Sequence, residues 1–277
     1  MALLVQKYGG TSVGDAERIK GVAKRIARSQ ERGNYIAVVV SAMGQTTDDL
    51  ITLALSVTAA PDPRELDVLL STGELVSCTL MAMALRELGI EAISMGGAQA
   101  GIRTDTSHGR ASIVALDPAR VRGELDAGRI VIVAGFQGIT DDLDVTTLGR
   151  GGSDTTAVAL AAALNADRCE VYTDVDGIYT ADPRVVPNAR KLREIGYEEM
   201  LELASYGAKM HPRSVELAAW YQVPILVASS TSDEPGTLIH AIEVQEGARM
   251  EISNKVSGVT YERGVARITL RQVPDQP

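Results

Sequence analysis

The chain has 277 residues, of which 45% are hydrophobic and 23% are charged, so it can bury one substantial core. Its formal net charge of −9 excludes a surface that condenses on nucleic acid or on an anionic membrane, because such binding needs clustered Lys and Arg. The single Phe and single Trp leave no aromatic platform on which bases could stack.

The N-terminus, the apolar runs and the cysteine content do not indicate a secreted or a membrane protein. The first apolar run, ALLV, follows no cationic leader and is not typical of a signal peptide. No stretch reaches the roughly 18 consecutive apolar residues expected of a membrane span. Cys78 and Cys169 are too few for a disulfide framework or a zinc site, and each lies in an apolar segment that we expect in the core. The sequence predicts a soluble protein of a reducing, cytoplasmic compartment.

Short apolar runs alternate with amphipathic segments at helical spacing, a pattern typical of βαβ units and a largely parallel, buried sheet. Asp15 and Ser153 are predicted helix N-caps, because a short side-chain oxygen can accept from free backbone N–H groups. Residues 59–63 form a predicted Pro-rich loop and 141–144 the acidic tip of a hairpin. The predicted strands are ALLVQKY, YIAVVVSAM, IEAISM, RIVIVAGF, CEVYTDV and VPILVAS, and the predicted helices are 15–32, 64–88, 153–165, 197–206 and 213–221.

The C-terminal part differs from the rest. Residues 256–273 alternate as two strands joined by a turn at 262–264. A lone hairpin is marginally stable in water, so we expect this one to pair with the main body or with another chain. The predicted organisation is a main domain of residues 1–245 followed, at 246–277, by the start of a further domain.

A first candidate motif, KYGGTS, begins at Lys7 between the first strand and the first helix. Gly9 and Gly10 allow backbone amides to approach a phosphate, and Lys7 supplies a mobile charge. The order differs from a Walker A loop, whose Lys follows the glycines. A Gly pair at this place is also common as an ordinary tight turn.

A second motif, TTLGRGGSD, precedes an Ala-rich helix. Arg150, held between glycines, can bind a carboxylate through two parallel hydrogen bonds, and the helix N-terminus also favours an anion. Asp154 falls in the first helical turn, where it could act at the site or only complement the helix dipole.

A third motif, TDVDGIYTADPR, follows a predicted strand from Thr173 to Arg184. Ligands of open α/β sheets bind beyond the carboxyl ends of strands, which is where these polar residues cluster. A calcium loop is the competing interpretation, but the oxygens lack the alternating spacing and the closing Glu of an EF-hand.

Glu74 lies in an otherwise apolar helical stretch and needs a cationic partner, either a ligand ammonium or a neighbouring Arg. Residues 41–47 form a hydroxyl-rich turn after the second strand that could contact a ligand or be only a loop. The three histidines, His108, His211 and His240, share no metal-ligand spacing, and no arrangement indicates a protein nucleophile.

In order and spacing, KYGGTSVG, VVVSAMG, STGE, TTLGRGGSDTTA, YTDVDGIYTADPR, GAKMHPR and PGTLI together resemble the aspartate kinases of the amino-acid kinase family. The resemblance covers essentially the whole chain. It implies a three-layer αβα sandwich around a mainly parallel sheet, usually dimeric, and the first reaction of lysine, threonine and methionine biosynthesis. Members usually carry one more residue between GAK and HPR, and they continue into two ACT regulatory domains, of which residues 246–277 would be the beginning.

The resemblance also implies the ligands, which are ATP, Mg²⁺ and L-aspartate, and a role for each matching residue. Asp154 would orient the cationic groups and lie near Mg²⁺, with Asp154 the one possible direct protein ligand, and Lys209 would stabilise charge on the leaving group. The nucleotide would be held by Lys7, Gly9, Gly10, Ser41, Thr173, Asp174, Tyr179, Arg184 and Lys209, and aspartate by Thr47, Glu74, Arg150, Gly151 and Ser153. Lys7, Asp154 and Lys209 would be catalytic.

A carboxylate acceptor is already ionised at neutral pH, so the absence of a candidate general base is compatible with this reaction. Two alternatives remain at this point. One is a kinase of another acidic substrate, such as glutamate or an N-acylated amino acid, and the other is a non-catalytic sensor with the same fold.

Overall fold

The computed structural model describes residues 1–205, 209–242 and 258–260. In this part of the chain the strands are β1 (Leu3–Tyr8), β2 (Tyr35–Val40), β3 (Ala92–Met95), β4 (Ile102–Thr104), β5 (Ile113–Leu116), β6 (Ile130–Ala134), β7 (Gln137–Ile139), β8 (Val145–Thr147), β9 (Arg168–Thr173), β10 (Glu194–Gly196), β11 (Ile225–Ser229) and β12 (Thr237–His240). The helices are α1 (Ala16–Glu31), α2 (Thr46–Val57), α3 (Pro63–Glu87), α4 (Ala119–Asp126), α5 (Gly152–Leu164), α6 (Tyr197–Ser205) and α7 (Pro212–Tyr221), with a short 3-10 turn at Gly10–Val13.

Eight strands form the main sheet in the order β10-β12-β11-β9-β1-β2-β6-β3. Every neighbouring pair is parallel except β11 and β12. The central strands are rich in β-branched residues and buried on both faces, as expected of a parallel sheet covered by helices.

Two hydrophobic clusters cover the two faces of this sheet. Along β2, Ile36, Val38 and Val40 belong to the cluster that contains α1 and α3. The alternate residues Ala37 and Val39 belong to the cluster that contains α4, α5, α6 and α7, because successive side chains of a strand point to opposite faces. The predicted three-layer αβα sandwich with a mainly parallel sheet is therefore confirmed.

A second, four-stranded sheet has the order β5-β4-β7-β8. β7 and β8 are antiparallel, with Gln137 opposite Thr147, and the acidic turn 141–144 connects them as predicted. This hairpin leads directly from the end of β6 to the start of α5.

The predicted N-caps have different outcomes. Asp15 caps α1, since its carboxylate accepts from Arg18 N at 2.8 Å. The prediction for Ser153 is wrong, because α5 begins at Gly152 and its N-cap is Gly151, at φ 73°. This left-handed glycine places the N-cap two residues earlier than predicted, with no side-chain cap. The helices α2 and α4 and the strands β10 and β12 were not predicted, and of the smaller sheet only the hairpin turn at 141–144 was.

By length and mean hydropathy, α3 could cross a membrane, although polar residues interrupt its apolar run. Half of its apolar window is buried inside the protein, and its inner face carries the buried polar residues Asp67, Ser71 and Glu74. This pattern is that of the core helix of a globular protein. The predicted core positions of Cys78 and Cys169 are confirmed.

The predicted C-terminal hairpin, at 256–273, lies almost entirely outside the described residues, as does the proposed beginning of a further domain at 246–277. Of this region the structure describes residues 258–260, where Val259 N donates to Thr180 O at 2.8 Å.

Replacing Ile26 by Ala should destabilise the fold by about 2–5 kcal/mol, because Ile26 is fully buried between α1 and the sheet and the substitution leaves a cavity. Urea unfolding measures the change. Lys24→Ala, at an exposed position of the same helix, is the control and should change stability by less than about 0.5 kcal/mol. Equal losses in the two variants would contradict this packing.

Candidate active site

A cavity of about 290 Å³ opens at the carboxyl ends of the central strands. The ends of β1, β2 and β6 meet there with the N-terminus of α5, as expected for a ligand site in an open α/β sheet. Its lining residues are Lys7, Gly10, Ser41, Ala42, Gly44, Thr47, Glu74, Phe136, Gly149, Arg150, Gly151, Gly152, Ser153 and Asp154.

Lys7 and Asp154 form an ion pair at this cavity, with Lys7 Nζ 2.6 Å from Asp154 Oδ1. Their side chains are only 11% and 13% exposed, so solvent screens the pair weakly. Lys7 stands near the end of β1 and Asp154 in the first turn of α5. The pair fixes an ammonium group beside a helix N-terminus, and both features favour an anion.

Gly10, the second glycine of the first motif, is required by packing. A Cβ on Gly10 would lie 2.7 Å from the carbonyl oxygen of Ala42. Gly44 N donates to Gly10 O at 3.1 Å, so the loops that follow β1 and β2 touch through their backbones. Only glycine permits this approach at position 10.

Glu74 reaches the cavity from α3 and is 3% exposed. Its Oε1 accepts from Ala42 N at 3.1 Å, whereas Oε2 is buried and has no hydrogen-bond partner among the described residues. Burial raises the pKa of Glu74 to about 7. A buried carboxylate oxygen without a partner in a cavity is a site for a cationic or hydrogen-bond-donating ligand group.

Arg150 lies between two glycines in left-handed conformation, Gly149 and Gly151, both at φ 73°. A Cβ on Gly151 would lie 2.3 Å from Cγ of His211, so the His211 ring packs directly on the loop. Arg150 is exposed at the cavity and has no ion pair among the described residues. Its guanidinium is therefore available for an anionic ligand.

A second group of predicted residues lies beyond the end of β9, outside the cavity lining. Lys209 Nζ is 2.8 Å from Asp174 Oδ1, and this ammonium lowers the pKa of Asp174. Thr173 Oγ1 donates to the same carboxylate oxygen at 3.0 Å. The structure thus joins Thr173, Asp174 and Lys209 in one polar cluster.

The remaining predicted residues have separate partners. Tyr179 donates to Asp176 Oδ1 at 2.8 Å, and Lys191 pairs with the other oxygen of Asp176 at 3.2 Å. Arg184 forms an ion pair with Asp182 at 2.8 Å. Gly9 N donates to Tyr172 O at 3.3 Å, which links the glycine turn to β9.

Sequence reasoning missed several residues of the site. Phe136, the single Phe of the chain, lines the cavity at φ 67°, a rare conformation for a bulky residue. His211, the N-cap residue of α7, packs on Gly151 and was missed as well. Two sequence features could have indicated these residues: the AGF at the end of a predicted strand for Phe136, and the HPR next to a helix start for His211.

The chemistry of this site is that of binding and orienting charged groups. Within the described ranges, no group of three or more His, Cys, Asp and Glu residues could hold a metal ion by itself. Mg²⁺ is commonly bound through one or two carboxylates plus ligand phosphates, and Asp154 can supply one such carboxylate. Lys7, Arg150 and the start of α5 provide positive potential for an anionic ligand.

Replacing Glu74 by Gln should stabilise the ligand-free protein most strongly above pH 7. The folded pKa of about 7 is raised from an ordinary 4.5, so ionised Glu74 costs folding free energy. This cost is absent below the unfolded pKa, grows as the pH rises toward 7 and is constant above it. The expected gain at pH 8 is on the order of 1–3 kcal/mol, measured by thermal unfolding at pH 5 and pH 8.

Glu87→Gln is the matched control for this experiment, because Glu87 is exposed on the same helix. It should show no such increase with pH. A gain in the Glu74 variant that is the same at both pH values would refute the assignment of the cost to an ionised carboxylate.

Comparison with known proteins adds to this geometry. Residues 2–229 match the model of the amino acid kinase family. The chain is 56% identical over 282 residues to the aspartokinase of Mycolicibacterium smegmatis, with 100% of this chain and 66% of that protein aligned. The chain thus spans just under two thirds of the length of this relative.

Solved structures agree with the family match. The aspartate kinase from Synechocystis superposes with a TM-score of 0.79 at 54% identity, over 88% of this chain and 40% of that one. E. coli aspartokinase III, in complex with aspartate and ADP, superposes with a TM-score of 0.79 at 32% identity, over 88% of this chain and 65% of that one. On its sequence, its fold and the matched family model, the chain belongs to the amino acid kinase family.

Proposed function

We propose that the chain transfers the γ-phosphoryl group of MgATP to the β-carboxylate of L-aspartate, giving 4-phospho-L-aspartate and ADP. The observation that carries this proposal is one cavity that combines the Lys7–Asp154 ion pair with a carboxylate oxygen of Glu74 that has no partner in the described part of the chain. The first group suits a phosphoryl group and the second suits an ammonium. The names of the relatives, aspartokinase and aspartate kinase, support the same reaction.

On the amino-acid side, Glu74 would accept from the α-ammonium, and Arg150 would bind a carboxylate of aspartate. Both line the same cavity, as do Thr47, Gly151 and Ser153, which would complete the aspartate site. An ammonium bound at Glu74 favours the ionised carboxylate, because an opposite charge offsets the cost of burial. A substrate with a free amino group therefore fits this cavity better than an N-acylated one.

On the nucleotide side, Lys7, Gly10 and Ser41 would surround the transferring phosphoryl group within the cavity, next to Gly9. Lys209, paired with Asp174 at the end of β9, would stabilise charge on the departing ADP. Thr173, Asp174, Tyr179 and Arg184 would hold the rest of the nucleotide. The neighbouring structure of E. coli aspartokinase III contains both aspartate and ADP, which supports a site for two ligands in this fold.

Catalysis in this proposal consists of positioning and charge stabilisation. The β-carboxylate of aspartate is ionised at neutral pH, so it attacks the γ-phosphorus in line without a general base. Lys7 holds the γ-phosphoryl oxygens, and Asp154 keeps the ammonium of Lys7 directed to that place. Mg²⁺, held through Asp154 and the phosphates, would neutralise part of the phosphate charge.

The reaction would belong to cytoplasmic amino-acid biosynthesis, as the first step toward lysine, threonine and methionine. The acidic, cysteine-poor composition supports a cytoplasmic setting, and the activity named for the relatives supports the pathway. Neither nucleic acid nor membrane is proposed as a partner.

The proposal is tested by incubating the chain with MgATP and L-aspartate, L-glutamate or N-acetyl-L-glutamate in the presence of hydroxylamine, which traps acyl phosphates. Aspartate-dependent hydroxamate and ADP are expected, with neither product from the other two acceptors. Lys7→Ala should lower turnover by at least about 10²-fold, because the charge on the transferring group is no longer balanced. Lys20→Ala, at an exposed lysine of α1, is the control and should retain full activity.

Two results would contradict the assignment. Hydroxamate from N-acetyl-L-glutamate but not from aspartate would show that Glu74 does not bind a substrate ammonium. ATP binding without hydroxamate from any acceptor would indicate a sensor of the same fold.

We also propose that the chain forms a homodimer through an apolar surface on α2 and α3. These two helices pack beside each other and expose more large apolar side chains than a solvated face normally carries. On α3 the exposed residues recur at helical spacing, opposite the buried face. The surface comprises Leu53, Leu55, Val57, Val68, Leu75, Val76, Leu80 and Met83.

Introducing charge at this surface should separate the protomers. Val76 and Met83 are 51% and 59% exposed, and the double substitution Val76→Glu/Met83→Glu places unpaired charges in an apolar contact. Light scattering after size exclusion should report a dimer for the original chain and a monomer for this variant. Val114→Glu, on β5 at 63% exposure, is the control and should remain dimeric. A monomer mass for the original chain by light scattering would contradict this proposal.

A further inference from the structure

Asp67 is a carboxylate of α3 that is 1% exposed and lies outside the lining of the cavity. Thr147 Oγ1 donates to its Oδ1 at 2.5 Å, and Gly109 N lies 3.0 Å from both of its oxygens. His108 Nδ1 is 2.8 Å from Oδ2. A carboxylate so deeply buried is costly unless its oxygens are bonded, and here both oxygens are bonded.

The partners of Asp67 come from two segments next to the loop that carries Arg150. Thr147 ends β8 and is followed by Leu148 and Gly149, which lead directly to Arg150. Gly109 belongs to segment 105–112, which packs on the same loop. A Cβ on Gly149 would lie 3.0 Å from Gly109 O, and Ala111 N donates to Thr147 O at 2.9 Å. Asp67 thus bonds at the same time to the strand before the loop and to the segment beneath it.

The opposite side of the loop is held by α7. Arg213 donates to Leu148 O at 2.9 Å and to Ala111 O at 2.7 Å, which joins the same two segments a second time. With the His211 ring against Gly151, the backbone from 147 to 151 is fixed on both sides. The side chains of Asp67, His211 and Arg213 do not line the cavity, so their effect on the site is through the position of the loop.

We propose that Asp67 is a positioning residue, which holds residues 148–151 so that Arg150 and the start of α5 face the acceptor substrate. This inference rests on the proposed function in its assignment of Arg150 to the substrate carboxylate. A carboxylate suits the role because it accepts from three donors with two oxygens, whereas an amide side chain offers one acceptor oxygen. The loop glycines, both at positive φ, have no side chains that could anchor the loop themselves.

Thr147→Val tests the proposal without removing the buried charge, because it replaces one hydroxyl by a methyl of the same shape. Thr147→Ser restores the hydroxyl and should rescue the effects. Thr146→Val is the matched control: Thr146 is the adjacent buried residue of β8, and its hydroxyl bonds to Thr104 Oγ1 at 2.5 Å rather than to Asp67.

The first readout is hydrogen–deuterium exchange of the ligand-free protein, which requires no substrate. Amides in 105–112 and 148–152 should exchange roughly tenfold faster in Thr147→Val than in the original chain, as expected when a bond to a buried charge is lost. In Thr146→Val and Thr147→Ser these segments should exchange at the original rate. Unchanged exchange in Thr147→Val would overturn the proposal even if the original chain proves inactive on aspartate.

The second readout compares the change in the KM for aspartate with the change in the KM for ATP. Thr147→Val should raise the KM for aspartate roughly tenfold and leave the KM for ATP within about twofold, because only the loop with Arg150 has moved. A merely structural role would lower the active fraction and leave both KM values unchanged. Equal changes in the two KM values, or an unchanged KM for aspartate despite faster exchange, would also overturn the proposal. An original chain that forms no aspartyl hydroxamate refutes the proposed function instead, and exchange then decides the role of Asp67.

Discussion

The ion pair between Lys7 and Asp154 is the interaction on which the arrangement of the site depends. It joins the end of β1 to the first turn of α5, two elements far apart in the chain, and its two charges are mostly shielded from solvent. Charges in such a place need each other, because loss of one partner leaves the other buried and uncompensated. Around it the glycine turn after β1 and the glycines before α5 bring backbone amides and a helix N-terminus to one cavity. In the proposed reaction, the same pair that fastens the fold also directs the ammonium to the transferring phosphoryl group.

Glu74 shows the opposite use of a buried charge. It has one backbone donor and one oxygen without a partner among the described residues, and burial raises its pKa to about 7. Asp67, on the same face of α3, is bonded at both oxygens. Two carboxylates of one helix thus differ in how many of their oxygens accept hydrogen bonds. The fully bonded one stabilises the structure, and the incompletely bonded one is open to a ligand at a cost to stability, as is common where binding requires it.

The main strands and five of the helices could be predicted from the sequence, because periodic burial is a local pattern that each segment carries by itself. The helices α2 and α4, the strands β10 and β12 and the smaller sheet, apart from its hairpin turn at 141–144, were missed. No residue of α2 is fully buried, and β4, β7 and β8 have three residues each, so their patterns are too weak or too short to read. Ser153 was predicted as an N-cap from its residue type, whereas the left-handed Gly151 caps α5 two residues earlier. The predicted site residues of the first two motifs, except Gly9, meet at one cavity together with Ser41, Thr47 and Glu74. Tyr179 and Arg184, by contrast, have partners outside this cavity.

The sequence by itself determined most of the central elements and the candidate motifs, because burial periodicity and residue type are properties of each segment alone. Tertiary structure alone decided which of these groups meet. The pairing of Lys7 with Asp154 and the contacts of Asp67 with two segments join residues that are distant in the chain. The position of Glu74 in the cavity, with one oxygen that has no partner among the described residues, also depends on packing between distant elements. Such contacts depend on strand order and on helix packing, which no local pattern encodes. The charge states follow from the same contacts, since the pKa of a buried group is set by the burial and partners that the fold provides.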